Sequence, residues 1–253
     1  MVMNKGIKPY KKEYLLLLKE QIRLFKTQEN SRNLMNVKIS IFKTGVFFVF
    51  VSLISFSCTK NLTTVTTVYE NNFEGTDDGA LEVLGWSNGL FTLSTERRIF
   101  KYNGQTVLGK LNNNIVQLIL TGLPRHQLIR ISMNLYLHNN WNNDLWRAGI
   151  DGENRLITGF SNNKAVMQSY PNWLNNGMPL RPAGNEAAEV NLPGVCQSGT
   201  NSNLSTSMYK IVMTVPHSGN EVTIQYGDAG GAVNDTCNRS WSIDNLKVSV
   251  LRN

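Results

Sequence analysis

The sequence is poor in the features that mark a membrane-spanning or helical protein. Its longest charge-free apolar stretch, residues 45–57, is thirteen residues long, whereas a spanning helix needs about 20. After this stretch no window shows a helical apolar period over three turns, and no internal repeat occurs. The pattern therefore predicts neither a spanning helix nor a helical domain, and it disfavours a propeller or a solenoid.

Motifs of common catalytic and phosphate-binding sites are missing as well. The chain has three histidines but no Gly-x-Ser-x-Gly elbow, no HExxH and no glycine-rich loop that opens a helix. The Glu-x-Asp-x-x-Glu run that places two carboxylates close together in sandwich glucanases is also absent. These absences favour a noncatalytic protein. The alternative is a polysaccharide-degrading enzyme, for which the acidic candidates are Glu186, Glu189, Asp144 and Asp151.

Excess positive charge is confined to the N-terminal segment. The chain has a formal charge of +7, but residues 1–57 hold ten of the 25 Lys and Arg and three of the 18 Asp and Glu. Fifteen residues of each sign therefore remain from Cys58 onward. A folded part with balanced charge offers no basic stripe for phosphates, so nucleic acid is not an expected partner.

The N-terminal apolar stretch predicts export. Lys38 and Lys43 precede it and Cys58 follows it directly, so residues 35–57 have the order of a secretory signal peptide. Residues 54–58, Ile-Ser-Phe-Ser-Cys, resemble the lipobox of bacterial lipoproteins, which implies a lipid on Cys58. An ordinary cleaved signal or an uncleaved anchor is the alternative. The expected location is the cell envelope, as an outer-membrane lipoprotein on either face, or the secreted medium.

The remaining segments follow from this assignment. Residues 1–34 are expected to be the product of a start codon placed too early. The alternative is an extended basic region or a short amphipathic helix that lies on the membrane. Residues 58–67 are polar and rich in Thr, as suits a short tether. The folded domain is predicted over residues 68–253.

Two cysteines remain after Cys58. Cys196 and Cys237 form an even pair in a compartment where disulfides persist, and neither belongs to a CxxC metal motif. They predict a disulfide that pins the aperiodic region 171–207, and two unrelated thiols are the alternative.

The pattern after the tether is that of β-strands. Residues 128–137 alternate strictly, with Ile129, Ile131, Met133 and Leu135 among the apolar positions, and this predicts a half-buried antiparallel strand. Other short runs predict further strands at 66–73, 91–93, 98–102, 115–120, 146–150, 155–160, 165–170, 209–215, 221–226 and 241–251. Turn dipeptides separate many of them. Together they predict an all-β fold, an antiparallel β-sandwich of jelly-roll type, with a barrel as the rival.

The last predicted strand contains an acidic residue in an apolar phase. Leu246, Val248 and Val250 define its core face, and strict alternation places Asp244 on the same face. An inward carboxylate must be paired or bound to a metal, because an isolated buried charge is too costly. A bulge near Asp244 and Asn245 that turns the side chain away is the alternative.

Short motifs at both ends and in the middle of the domain carry a family resemblance. Residues 71–74 (Asn-Asn-Phe-Glu), 144–152, 160–171 and 241–248 (Trp-Ser-Ile-Asp-Asn-Leu-Lys-Val) resemble the concanavalin A-like and carbohydrate-binding-module sandwiches of exported bacterial proteins. The resemblance implies a structural calcium held by Glu74 and Asp244, with Asp77 or Asp78 nearby. In this sequence residues 139–143 (Asn-Asn-Trp-Asn-Asn) stand where some relatives have an acidic turn, which argues against a second cation site there.

Aromatic residues among polar turns suggest how such a domain binds a ligand. A sugar site needs an exposed aromatic platform with amides and carboxylates beside it. Trp146 and Trp241 are expected in the core, whereas Trp141 and Trp173 are expected to be exposed. The predicted ligand-binding residues are Trp141, Asn143, Asp144, Tyr170 and Trp173.

The expectation is therefore a noncatalytic extracytoplasmic protein that binds a glycan or a cell-surface partner. Its only expected cofactor is structural calcium, and its only membrane contact is a lipid anchor. A structural or adhesive envelope protein is a further alternative.

Overall fold

Thirteen strands make up the regular structure of a computed structural model that describes residues 63–75, 80–87, 90–93, 99–174, 177–196, 205–228 and 235–252. Within these ranges there is no helix long and apolar enough to cross a membrane. Residues 1–34, the predicted signal peptide, residues 58–62 of the tether including Cys58, and Asp77 and Asp78 lie outside the described residues.

The strands are short to medium in length and are numbered in chain order. They are β1 Thr64–Asn71, β2 Leu81–Ser87, β3 Leu90–Leu93, β4 Ile99–Tyr102, β5 Gln105–Leu111, β6 Asn114–Thr121, β7 Leu128–Asn139, β8 Asn142–Ile150, β9 Glu153–Ser161, β10 Glu189–Pro193, β11 Ser205–Pro216, β12 Glu221–Asp228 and β13 Arg239–Arg252.

Two antiparallel sheets form a sandwich, which confirms the predicted fold class. The seven-stranded sheet has the order β10-β11-β7-β13-β5-β4, and β1 pairs with the second half of β13. The six-stranded sheet has the order β3-β2-β6-β12-β8-β9. Because consecutive strands repeatedly change sheet, as β5 to β8 do, the arrangement is jelly-roll-like.

The core lies between the two sheets and follows the alternation of the strands. The apolar residues of β7 predicted to face inward are all buried, and they face inner residues of β13 such as Ile243 and Val248. Trp146 and Trp241 are fully buried there, with ring centroids 6.2 Å apart. Burying such large apolar surfaces is the main driving force for closing the sandwich.

One predicted strand was wrong, and three strands were not predicted. Residues 165–170 form no strand: Asn163 accepts a bond from the Ala165 amide at 3.0 Å and starts a turn, and only Gln168 makes an isolated bridge, to Arg181. Strands β2, β5 and β10 were missed. β2 and β5 lack strict alternation, and β5 bends at Lys110, where φ is +39°. β10 is only five residues long and has a left-handed backbone at Asn191.

The seven-stranded sheet is curved, so that its two edge strands meet over the face that points away from the six-stranded sheet. Its two edge strands in the pairing order are β4 and β10, yet the Tyr102 hydroxyl of β4 donates a 2.5 Å hydrogen bond to the Pro193 carbonyl of β10. The outer face beneath this contact is therefore concave. A second apolar cluster fills it, formed by Tyr102, Val107, Tyr136, Val195 and Met208.

The predicted disulfide is confirmed. Cys196 and Cys237 are joined across a sequence separation of 41 residues. The bond ties the loop after β10 to the segment before β13. Asn139 supports the same junction, since its side chain bonds to the backbone of both Val195 and Cys237. This end of the sandwich is thus held covalently and by hydrogen bonds.

Candidate functional site

The segment around Trp173 lies along the free edge of the six-stranded sheet. The Leu174 amide donates to the Ile157 carbonyl of β9 at 2.8 Å, and the Thr158 hydroxyl donates to the Asn172 carbonyl at 2.8 Å. The Asn172 amide closes a turn on the Ser169 carbonyl at 2.8 Å. These bonds hold the backbone on both sides of Trp173 in place.

The side chain of Trp173 is open to solvent. It is 42% exposed, as expected from the sequence. Three other apolar side chains of the same loop region, Met167, Met178 and Leu180, are also exposed. The paired backbone bonds between Gln168 and Arg181 bring the two arms of this region together. Trp173 therefore stands on a fixed segment, in a loop region that carries other exposed apolar side chains.

The expected exposure of Trp141 was wrong. Its side chain is fully buried, and its Nε1 donates to the Ser240 carbonyl at 2.9 Å. The turn that carries it is fastened by Asn140, whose amide and side chain both bond to Asn238. The Arg239 guanidinium lies 5.3 Å from the Trp141 ring centroid. The turn residues are polar because they serve as anchors, and the ring beneath them belongs to the core.

Asn143 and Asp144 are engaged in internal contacts. The Asn143 side-chain oxygen accepts a bond from the Ser169 amide at 3.1 Å, and its own backbone is left-handed with φ of +57°. Asp144 accepts bonds from Arg239 at 2.5 Å and from the Asn142 amide at 2.7 Å. Asn143 therefore holds the segment that follows β9, and Asp144 joins Arg239 to the start of β8.

Tyr170 faces inward and is half-buried. Its ring centroid lies 4.6 Å from that of Phe160 and 5.2 Å from that of Tyr209. Burial raises the pKa of the Tyr170 hydroxyl, and the charge of Glu186 adds to the effect. Of the five predicted ligand-binding residues, the structure leaves Trp173 alone with a largely open side chain.

A buried carboxylate at the end of β12 organises the neighbouring turns. Asp228 accepts bonds from the Trp241 Nε1 at 2.8 Å and the Asn114 amide at 3.2 Å through Oδ1. Its Oδ2 accepts from the Asn113 amide at 3.0 Å and from Arg239 at 3.2 Å. Since Arg239 also pairs with Asp144, one buried cation joins two carboxylates. The sequence analysis missed this network, because its members are far apart in the chain.

The concave outer face contains a buried histidine that the sequence analysis also missed. His138 bonds to the Ser242 hydroxyl at 2.7 Å and to the Thr206 hydroxyl at 3.0 Å. The Tyr102 ring packs edge-on against it at 4.7 Å. Burial lowers the pKa of His138 to about 3, with a smaller contribution from the charge of Lys110. This histidine is therefore neutral and enclosed.

Asp244 lies on that same outer face rather than in the core. Its neighbour Ile243 pairs with Leu135 in the core, and the pairing with β7 slips by one residue between Asp244 and Lys247. Asn245 takes up the extra residue with φ of +51°. The inward placement was therefore wrong, and the predicted bulge is confirmed.

Glu74 and Asp244 influence each other electrostatically. The Glu74 carboxylate accepts bonds from the amide and hydroxyl of Thr106 at 2.6 and 2.7 Å, which lower its pKa. Asp244 is 2% exposed and accepts bonds from the amide and side chain of Asn245. Burial raises the pKa of Asp244, and the charge of Glu74 raises it further. No three His, Cys, Asp or Glu side chains of the described ranges are grouped to hold a metal ion.

Two of the acidic residues considered for catalysis, Asp144 and Asp151, lie far apart. Asp144 lies near the start of β8 and Asp151 in the turn after it. Seven residues of extended chain span about 23 Å, whereas glycosidase carboxylates lie about 5 to 9.5 Å apart. Glu186 lies in a loop, where its φ is +63°, and its charge contributes to raising the pKa of Tyr170. Glu189 begins β10, and its charge contributes to raising the pKa of Tyr102 and of Tyr136.

Comparisons with known proteins give no family assignment for this chain. No protein-family model matches the sequence, and no curated protein matches it at a significant level.

Proposed function

We propose that this chain is a noncatalytic extracytoplasmic binding protein that recognises a glycan through Trp173. The observation that carries the proposal is an exposed indole on a backbone segment fixed to the edge of β9. Aromatic rings offer the flat apolar surface on which the apolar face of a sugar ring stacks. A fixed platform loses little conformational freedom on binding, which favours affinity.

An extracytoplasmic location is consistent with the disulfide. Cys196 and Cys237 are bonded, and disulfides persist mainly in oxidising compartments. Export with a lipid on Cys58 remains part of this proposal, since it rests on the sequence of residues 35–58.

A glycan array tests the proposal. We expect the purified full chain, kept in mild detergent because of residues 45–57, to bind a restricted set of glycans. Trp173→Ala should weaken this binding by about 10- to 100-fold, as expected for an aromatic anchor. Trp173→Phe should retain most of it, because the ring is kept.

A control removes another exposed apolar side chain, far from Trp173 in the strand order. Val212 is 62% exposed on β11 of the other sheet, so Val212→Ala should leave glycan binding unchanged. Equal binding by Trp173→Ala and the parent chain would exclude the Trp173 platform. Absence of binding to any glycan would favour a protein partner or a structural role.

The proposal includes a structural calcium at Glu74 and Asp244. Two carboxylates that repel each other, one of them buried, would be stabilised by a hard cation with oxygen ligands. We expect a chelator to lower the melting temperature of the protein, and Asp244→Ala to abolish this difference. Glu70→Gln removes an exposed carboxylate of β1 that pairs with Lys247 and serves as the control. Equal melting of the parent chain with and without chelator would remove calcium from the proposal.

A further inference from the structure

Two histidines and an aspartate form a continuous chain of polar contacts at one end of the sandwich. The His126 Nδ1 lies 2.6 Å from the Pro124 carbonyl oxygen, and its Nε2 lies 2.8 Å from the His217 Nδ1. The His217 Nε2 lies 3.3 Å from an Asp151 carboxylate oxygen. The two rings are nearly parallel, with centroids 5.1 Å apart.

The three residues come from three separate connections. His126 precedes β7, His217 follows β11, and Asp151 occupies the turn between β8 and β9. The His126 ring is buried and the His217 side chain is 9% exposed, whereas the Asp151 carboxylate is about half exposed. The chain of contacts therefore links two largely enclosed rings to a carboxylate at the surface.

Counting protons along this chain shows that two neutral rings do not complete it. A carbonyl only accepts, so the His126 Nδ1 must carry a proton. In a neutral ring the His126 Nε2 is then an acceptor, and the His217 Nδ1 must donate to it. The His217 Nε2 is left without a proton while it faces a carboxylate that also only accepts. The three contacts need three protons to become hydrogen bonds, and two neutral imidazoles supply only two.

We propose that His126 and His217 together bind one additional proton, which resides on the His217 Nε2 and is held by the Asp151 carboxylate. The proton turns the last contact from a repulsion between lone pairs into a charge-assisted hydrogen bond. Since the rings and the carboxylate belong to different connections, the proton fastens three loops of the two sheets to one another. The device is a clamp that tightens as the pH falls.

Backbone bonds already bring these loops together and fix the geometry of the clamp. The His217 amide donates to the Gln127 carbonyl at 3.0 Å, and the Leu123 amide donates to the Asn220 carbonyl at 2.8 Å. The second Asp151 oxygen accepts a bond from the Thr223 amide at 2.9 Å. The rings and the carboxylate therefore approach each other on a scaffold that does not depend on the proton.

The charged groups around the clamp are few in the described part of this end. Asp151 is the one in contact with a ring. Glu153 starts the strand that follows Asp151 and pairs with Arg155. Glu221 starts β12 opposite the same turn. Arg125 is exposed beside His126, and Arg252 ends β13. Acidic and basic groups are therefore both present around the two rings. Asp151 is the one in contact with a ring, so we expect its carboxylate to determine where the additional proton is held.

Nitrogen-15 NMR of the imidazole rings in the full chain tests the proposal between pH 8 and pH 5. We expect His126 to keep a neutral ring protonated on Nδ1 throughout, while His217 becomes an imidazolium as the pH falls. His138 provides an internal reference, because it stays neutral over this range.

Asp151→Asn gives the decisive comparison. Its amide keeps an acceptor for the Thr223 amide, tolerates the left-handed backbone at this position, where φ is +52°, and donates to an unprotonated His217 Nε2. We expect the protonation of His217 to move to lower pH by about one unit or more. Glu153→Gln makes the same charge change without touching a ring and should leave it in place.

Two results would overturn the proposal. One is His126 protonated on Nε2 at pH 8, since the contact with His217 would then have the opposite direction. The other is an unchanged protonation of His217 in Asp151→Asn, since the carboxylate would then not hold the proton. Both readouts follow the rings directly, so they do not depend on whether a variant is less stable.

Discussion

Replacing Asp228 with alanine is expected to lower the free energy of unfolding by about 3 to 5 kcal/mol, the cost of breaking a buried ion pair by removing one partner. Its carboxylate accepts four bonds, two from backbone amides, one from Trp241 and one from Arg239. Alanine leaves these donors buried without that acceptor, and each unsatisfied group carries a desolvation cost. The Arg239 cation keeps Asp144 as a partner, which limits the loss.

Urea denaturation of the variant and the parent chain measures this effect. Asp228→Asn keeps the shape and one acceptor oxygen, so its loss should be smaller than that of Asp228→Ala. Glu153→Ala removes an exposed acidic side chain and should change the free energy by about 0.5 kcal/mol or less. A change below about 1 kcal/mol in Asp228→Ala would show that the network around Arg239 does not stabilise the fold.

Acidification is expected to destabilise the protein through His138. Burial holds the pKa of this ring at about 3 in the folded chain, against about 6.5 when it is exposed on unfolding. Between these values the unfolded chain binds the proton and the folded chain does not, so stability falls as the pH drops from 6.5 towards 3. At pH 4 the loss from this residue is about 3 kcal/mol. Above pH 7 the residue makes no contribution to the pH dependence.

The difference between unfolding free energies at pH 7 and pH 4 measures this contribution. His138→Gln should be less stable than the parent chain at pH 7, because it loses the packing against Tyr102. Its pH dependence should nevertheless be flatter by about 3 kcal/mol over this interval. A variant with the same pH dependence as the parent chain would mean that His138 is not held neutral.

Alternation in the sequence was sufficient to predict the strands that line the core. β7 shows this most directly, because one of its faces packs against the partner sheet and period-two apolar positions mark that face. β5 was not predictable in the same way. Val107 faces the second apolar cluster while Leu108 packs in the core, so apolar residues occur on both sides of the strand and the alternation is lost. β10 is too short for its alternation to stand out, and its register slips at the left-handed Asn191.

The burial of Trp141 could not be predicted from the polar residues beside it in the sequence. The asparagines around it satisfy backbone groups at turns, so their presence says little about the surface. Asn162 illustrates this role, since its side-chain Nδ2 donates to the carbonyls of Leu137, Asn139 and Ser205. Asparagine also tolerates the left-handed backbone found at Asn139 and Asn143. A polar turn can therefore cover a buried aromatic ring.

The missed histidine contacts depend on pairings that are distant in the sequence. His138 meets Ser242 only because β7 and β13 are neighbours, and their register places His138 opposite Ser240. His217 lies in the loop after β11, and His126 lies 91 residues away from it in the sequence. Local patterns give the type of each element, whereas the strand order decides which polar groups meet.

Fluorine NMR of the full chain labelled with 5-fluorotryptophan tests the proposed glycan recognition most directly. The chain has five tryptophans, and the spectrum of Trp173→Phe identifies the resonance of Trp173. A glycan selected on the array should shift this resonance at saturation, while those of the buried Trp141, Trp146 and Trp241 stay in place. A Trp173 resonance that does not move while the glycan is bound would contradict recognition through this residue.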